Sequence, residues 1–232
     1  MKKNFLLVLA LLGLSIQLSH AQSDSYGTWT SIGIEKKIHK WNFGAETELR
    51  TINYLGRINR GSISLSADYS ILKHLKIGIG YQLMNNWDEK YWNYQIRNRF
   101  NVSGTGKLKW DKFSFSLREK LQVTFKDESN RIKSNGTIDT YKINPEWVWR
   151  NRMQISYNIP HCRLTPAFSV ESFYQLNNPD GNAFDNLRYI LSLDYKINKR
   201  NSVSIYGLIN SRLNSDNISG KYILGTSYVF SF

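Results

Sequence analysis

From Leu75 to Leu83 the chain alternates strictly: Leu75, Ile77, Ile79, Tyr81 and Leu83 are apolar or aromatic, and Lys76, Gly78, Gly80 and Gln82 stand between them. Successive side chains of a strand leave on opposite faces, so a period of two predicts a strand with one apolar and one polar side. The same pattern recurs in "WNYQIRNRFNV", where Trp92, Tyr94, Ile96, Phe100 and Val102 oppose Arg97, Arg99 and Asn101. It recurs again in "FSFSLREKLQVTF" and "LRYILSLDYKI". Each register holds for 10 to 13 residues, longer than the roughly 5 to 6 residues usual for soluble strands and close to the roughly 9 to 11 that a tilted strand needs to cross a hydrocarbon core.

Eleven such segments are predicted, near 28–38, 41–52, 61–71, 75–86, 91–103, 112–125, 146–158, 163–176, 184–196, 201–213 and 219–232. Their connectors alternate between short ("IHKW", "LKHLK", "INKRN") and long and polar ("NYLGRINRG", "NNPDGNA", "NSDNIS"). That asymmetry predicts an all-β fold, a single antiparallel transmembrane barrel of about ten to twelve strands with short turns on one rim and long loops on the other. Bacterial barrels carry an even number of strands with both termini on the short-turn side. An odd count of eleven therefore predicts either that the first segment is not a regular wall strand or that a twelfth lies near Thr137–Ile143. The 20-residue stretch 126–145 is the one very long connector, and loops of that length carry function or stay unstructured.

Composition changes the picture twice. The chain has 232 residues and a net charge of +13, which in a soluble protein would point to nucleic acid. Its start, however, is Lys2-Lys3, an apolar run from Phe5 to Leu14, and the small-residue pattern Ser19-His20-Ala21. This is an export signal over 1–21, and its apolar run is too short to span a bilayer. The domain organisation expected is a cleaved signal peptide, 1–21, and one barrel domain, 22–232, carrying +11 once Lys2 and Lys3 are lost. Nucleic acid is thereby excluded as partner. The single Cys162 has no internal disulfide partner.

Two alternatives to a membrane barrel share the alternation, a secreted β-sandwich and a lipocalin-like barrel. Aromatics at strand ends (Trp41, Trp87, Trp92, Trp110, Trp147, Trp149) fit interfacial girdles. The polar faces carry many Arg with Gly and Ser, as a barrel lumen does. By the alternation Glu46, Glu48, Arg50, Asp68, Arg97, Arg99, Arg118, Lys120, Arg150, Arg152, Glu171, Arg188, Asp194 and Arg212 point inward, nine basic against five acidic. Such a lumen is either a charge-paired plug or a narrow pore or ligand site favouring anions. Glu119 falls on the lipid side and Pro166 inside a strand. A bulge or an oligomer contact would explain the first, and a bulge or a rim position the second.

The opening "YGTWTSIGIEKKIHKWNFGAETELR", the hairpin "YSILKHLKIGIGYQ", "FSVESFYQL" and the last strand "GKYILGTSYVFSF" together resemble the domain of unknown function 2490 family, over essentially the whole mature chain. The resemblance implies an outer-membrane barrel of Bacteroidota-type bacteria and brings no activity with it. Separately, the terminal Phe232 with Phe230 and Tyr228 before it looks like the C-terminal signal read by the barrel-assembly machinery. Expected partners are that machinery and outer-membrane lipid with LPS.

Barrel enzymes of lipid or LPS modification need a histidine acid/base partner. His39, His74 and His161 all fall in predicted short turns, with no Ser or Asp on a neighbouring strand position to serve as a triad. No His-x-His or Cys/His spacing marks a metal site. The expectation is a non-enzymatic barrel without cofactor or metal, against the alternatives of a lipid- or LPS-modifying enzyme and a soluble periplasmic ligand-binding barrel.

Overall fold

Every alternating segment forms a strand in the computed structural model, which describes residues 25–53, 56–213 and 220–232. In chain order these are β1 (Ser25–Ile38), β2 (Trp41–Ile52), β3 (Arg57–Leu72), β4 (Leu75–Asp88), β5 (Asn93–Trp110), β6 (Phe113–Lys126), β7 (Glu146–Tyr157), β8 (Leu164–Gln175), β9 (Ala183–Lys196), β10 (Asn201–Arg212) and β11 (Gly220–Ser231). The expected signal peptide lies outside the described residues.

Consecutive strands pair antiparallel, and the sheet closes on itself where β1 meets β11. That last pair is parallel, in register from Ser25↔Lys221 to Glu35↔Ser231. The parallel seam resolves the parity problem. The even-number rule led to the expectation of a missing or irregular strand, and both expectations are corrected: the first segment is a regular wall strand, and the region near Thr137–Ile143 contributes only an isolated bridge between Ile132 and Ile138. With eleven strands, Ser25 and Phe232 lie on opposite rims. The Phe232 amide donates to the Glu35 carbonyl at 2.9 Å, which extends the seam to the end of the chain.

The short turns explain the histidines. His39 and His161 hold φ of 55° and 56°, a left-handed conformation that His, Asn and Asp adopt more readily than other side-chain-bearing residues. His74 lies in the tight β3–β4 turn, where its Nδ1 is 3.2 Å from the Lys107 carbonyl.

Burial is inverted relative to a soluble domain. Apolar side chains face outward and stay open, with Ile79 at 62%, Val102 at 60% and Met153 at 67% exposure. Polar ones are sealed inside, among them Gln95, Gln122, Thr124, Ser169 and Glu171. Among the described residues only Met84, Val148, Ala167, Leu208 and Ile223 are buried apolar side chains. A wall of this kind costs far too much in water and is stable when hydrocarbon covers it, because contiguous apolar patches of this extent mark an apolar partner. Strands of 12 to 18 residues are long enough to cross. Trp41 and Trp110 sit at the short-turn ends of their strands, and Trp87, Trp92 and Trp147 near the long-loop ends.

Glu119 does face outward, and no bulge interrupts its strand: it pairs with Gly104 on one side and Asn151 on the other. Its carboxylate accepts from Trp149 Nε1 at 2.8 Å and, with the Asn151 amide correctly oriented, from that side chain as well. Local donors thus offset the cost of a carboxylate on the apolar outer face. Pro166 sits in the β8–β9 ladder opposite Leu193.

Candidate functional site

Small residues on the inner face leave room for large ones. At Gly225 an added Cβ would stand 2.0 Å from the Tyr206 ring, so the tyrosine lies flat over bare backbone. Gly78 makes the same allowance for the Asp68 carboxylate. What is left open is a cavity of about 490 Å³ in the lumen. It is lined by basic Arg50, Arg60, Arg99, Lys120, Arg150 and Arg188 and by acidic Glu46, Glu48, Glu146 and Asp185. Glu146 opens β7, Asp185 is the third residue of β9 and Arg50 the third from the end of β2. The cavity therefore occupies the half of the lumen nearer the long-loop rim.

Two charged clusters divide its walls. On the β6–β9 side Glu171, 2% exposed, is held by Arg118 and Arg150 at 2.8 Å each and by Arg188 at 3.3 Å. Arg150 also donates to Gln122 at 3.0 Å, and both Arg150 and Arg188 stack on Phe173. One carboxylate shared by three guanidiniums leaves the cluster net positive, and Arg152 beside it pairs only with Gln154 at 2.9 Å. Across the seam, Arg50 forms a two-toothed ion pair with Glu48, at 2.6 and 3.1 Å, and stacks at 3.6 Å on Trp29, against which Arg188 also packs at 5.1 Å.

Arg60 and Arg99 stand on the opposite wall, on β3 and β5, whereas Lys120 lies beside Arg150 in the β6–β7 ladder. Arg60 donates from Nε to Asn86 at 3.1 Å, and Arg99 to Thr124 at 3.0 Å and weakly to Gln82 at 3.4 Å. Among the described residues neither they nor Lys120 form an ion pair.

Of the predicted inward residues, Glu46, Glu48, Arg50, Arg99, Lys120, Arg150 and Arg188 line the cavity; Arg118, Arg152 and Glu171 form the cluster beside it. Asp68 and Asp194 lie deeper, toward the short-turn rim, where Asp194 accepts from the Ser204 hydroxyl. Arg97 reaches the rim and packs under Tyr141. Arg212, the last residue of β10, is exposed and joins neither cluster. Reading the sequence missed Arg60, Trp29, Phe173, Glu146 and Asp185. For Trp29 and Phe173 the strand alternation itself held the signal.

The long connector folds as a cover on this rim. Arg131, 7% exposed, pairs with Asp88 and, at 3.1 Å, with Asp139, and stacks on Tyr141 at 3.9 Å. Asp139 accepts from Lys90 at 2.7 Å and from the Tyr91 hydroxyl at 2.6 Å. The Lys90 bond, then the Tyr91 bond, hold its carboxyl well below the usual range. On the other side Lys142 pairs with Asp180 and Trp147 N donates to Asn177 at 2.9 Å. The connector is thus tied to both neighbouring loops.

No group of three or more potential metal ligands occurs among the described residues, and none of the three turn histidines contacts the lumen clusters.

Comparison with known proteins agrees with this geometry. No curated protein sequence matches significantly. Among solved structures, one titled "NanC porin structure in rhombohedral crystal form" is similar, with a TM-score of 0.50 and 12% identity over 88% of this chain and 93% of that one. At that identity the likeness speaks for the fold: a closed, porin-like all-β barrel. The model of the family described as protein of unknown function, DUF2490, matches residues 26–220, so the chain belongs to that family.

Proposed function

We propose that this protein is a non-enzymatic outer-membrane barrel whose basic lumen admits or holds small anions at its long-loop end. The observation that carries the reading is the lumen cavity, with six cationic side chains against four carboxylates. A cavity lined by an excess of one sign attracts the opposite charge, and low-dielectric walls concentrate that field. The apolar outer wall supports a place in lipid, and the porin-like fold supports the outer membrane as its location, with lipid and LPS around it. Tyr228 and Phe230 on the last strand, and Phe232 after it, are its contact with the assembly machinery before closure.

A second reading has its own support. The Glu171 cluster occupies the lumen beside the cavity, and a carboxylate sealed among three guanidiniums is the kind of packing that fills a barrel rather than lines a channel. A narrow pore and a plugged barrel with an anion vestibule differ in flux. Liposomes loaded with a chloride-sensitive dye and reconstituted with the barrel decide between them: slow anion entry above protein-free vesicles supports the pore, and entry no faster than the blank supports the vestibule. Faster entry of potassium than of chloride would contradict both.

A further inference from the structure

Deepening the anion reading just given, on which it rests, we propose that Arg60, Arg99 and Lys120 form a discrete site for a small dianionic oxyanion, a phosphoryl group or a dicarboxylate. The other cations lining the cavity already have carboxylates: Arg50 has Glu48, and Arg150 and Arg188 share Glu171. These three form no ion pair among the described residues. Arg60 spends only its Nε, on Asn86, which leaves both of its terminal nitrogens unbonded. Arg99 spends Nε and one terminal nitrogen on Thr124 and Gln82, both neutral acceptors, and Lys120 forms no hydrogen bond among the described residues.

All three line the same cavity, Arg60 from β3, Arg99 from β5 and Lys120 from β6. Guanidiniums brought together without a carboxylate between them repel, and an anion between them removes the repulsion. The planar fork of Arg matches carboxylate and phosphate oxygens two at a time, which a halide cannot exploit. Asn86 holds the Arg60 fork and Thr124 the Arg99 fork at its base, through Nε, so the orientation of each is set before a ligand arrives. A cavity of about 490 Å³ takes a small metabolite and excludes a polymer.

The test is isothermal titration calorimetry on the full barrel in detergent, with inorganic phosphate, succinate and acetate in turn. Binding of phosphate or succinate at least tenfold tighter than acetate, weakened at least tenfold in the R60Q/R99Q variant, is the expected result. Phosphate alone or succinate alone would assign the phosphoryl or the dicarboxylate arm. Heat-modifiable migration on gels verifies that the variant is folded, and R60K/R99K, which keeps charge and loses the forks, should bind better than the glutamine variant and worse than the parent. Binding of neither dianion, or equal binding by parent and R60Q/R99Q, overturns the site. Because binding is measured without flux, a barrel that binds dianions and passes no chloride keeps the site and refutes the pore.

Discussion

Replacing Glu171 with glutamine removes the one negative charge that three part-buried guanidiniums share. The carboxylate is 2% exposed and lies 2.8, 2.8 and 3.3 Å from Arg118, Arg150 and Arg188. Breaking a buried ion pair by deleting one partner costs about 3–5 kcal/mol, chiefly because the other charge stays behind unpaired. Glutamine keeps one acceptor oxygen, so the lower end, about 3 kcal/mol, is expected here. With a urea slope of about 2 kcal/mol/M the unfolding midpoint falls by about 1.5 M. The assay is reversible urea unfolding of the barrel in lipid vesicles, followed by tryptophan fluorescence. Adding Arg150→Met to Glu171→Gln should recover part of the loss, because it removes one of the stranded charges. An unchanged midpoint in Glu171→Gln, or no recovery in the double variant, would refute the claim that Glu171 holds the cluster together.

Three further outcomes follow from the same geometry. Gly225→Val puts methyl groups where the Tyr206 ring lies and should abolish the heat-modifiable folded form, whereas Gly104→Val, with open space around its Cβ, should leave it intact, and Tyr206→Ala should rescue Gly225→Val. In a Cys162→Ser background, Thr30→Cys with Thr226→Cys should cross-link on oxidation because the two residues are paired across the parallel seam, while Thr30→Cys with Leu224→Cys, two residues out of register, should not. The Asp139 tie is set by a depressed carboxyl, so its contribution is present above the unfolded value of about 3.9 and lost only as pH falls through the lower folded value. Protease resistance of the 127–145 loop should therefore be unchanged from pH 7 to about pH 4, and Asp139→Asn should weaken it across that whole range.

The strands were legible because an apolar outer wall and a polar lumen impose a strict period of two over long runs, as from Leu75 to Leu83. The count of eleven was also legible, and the rule set against it was what misled: sequence shows strand number but not whether the closing pair runs parallel. Arg60 was hidden by a local irregularity. The register shifts beside Arg50 and Thr51, so that Ile58 and Gly61 both pair on the outward face with Asn59 and Arg60 between them. That breaks the alternation at the point where the strand begins. Pairings across the lumen were hidden for a different reason. Arg118 and Glu171 are 53 residues apart, and alternation says that both point inward without saying that they meet. The inward set contained Arg212 for the same cause, since parity cannot tell a wall position from an exposed rim.

Reversal potential in a planar bilayer under a potassium chloride gradient tests the basic lumen most directly. The account predicts small currents whose reversal potential has the sign of chloride selectivity, shifted further toward chloride in Glu48→Gln, which removes a cavity carboxylate. A large ohmic current without preference, or selectivity for potassium, would contradict it.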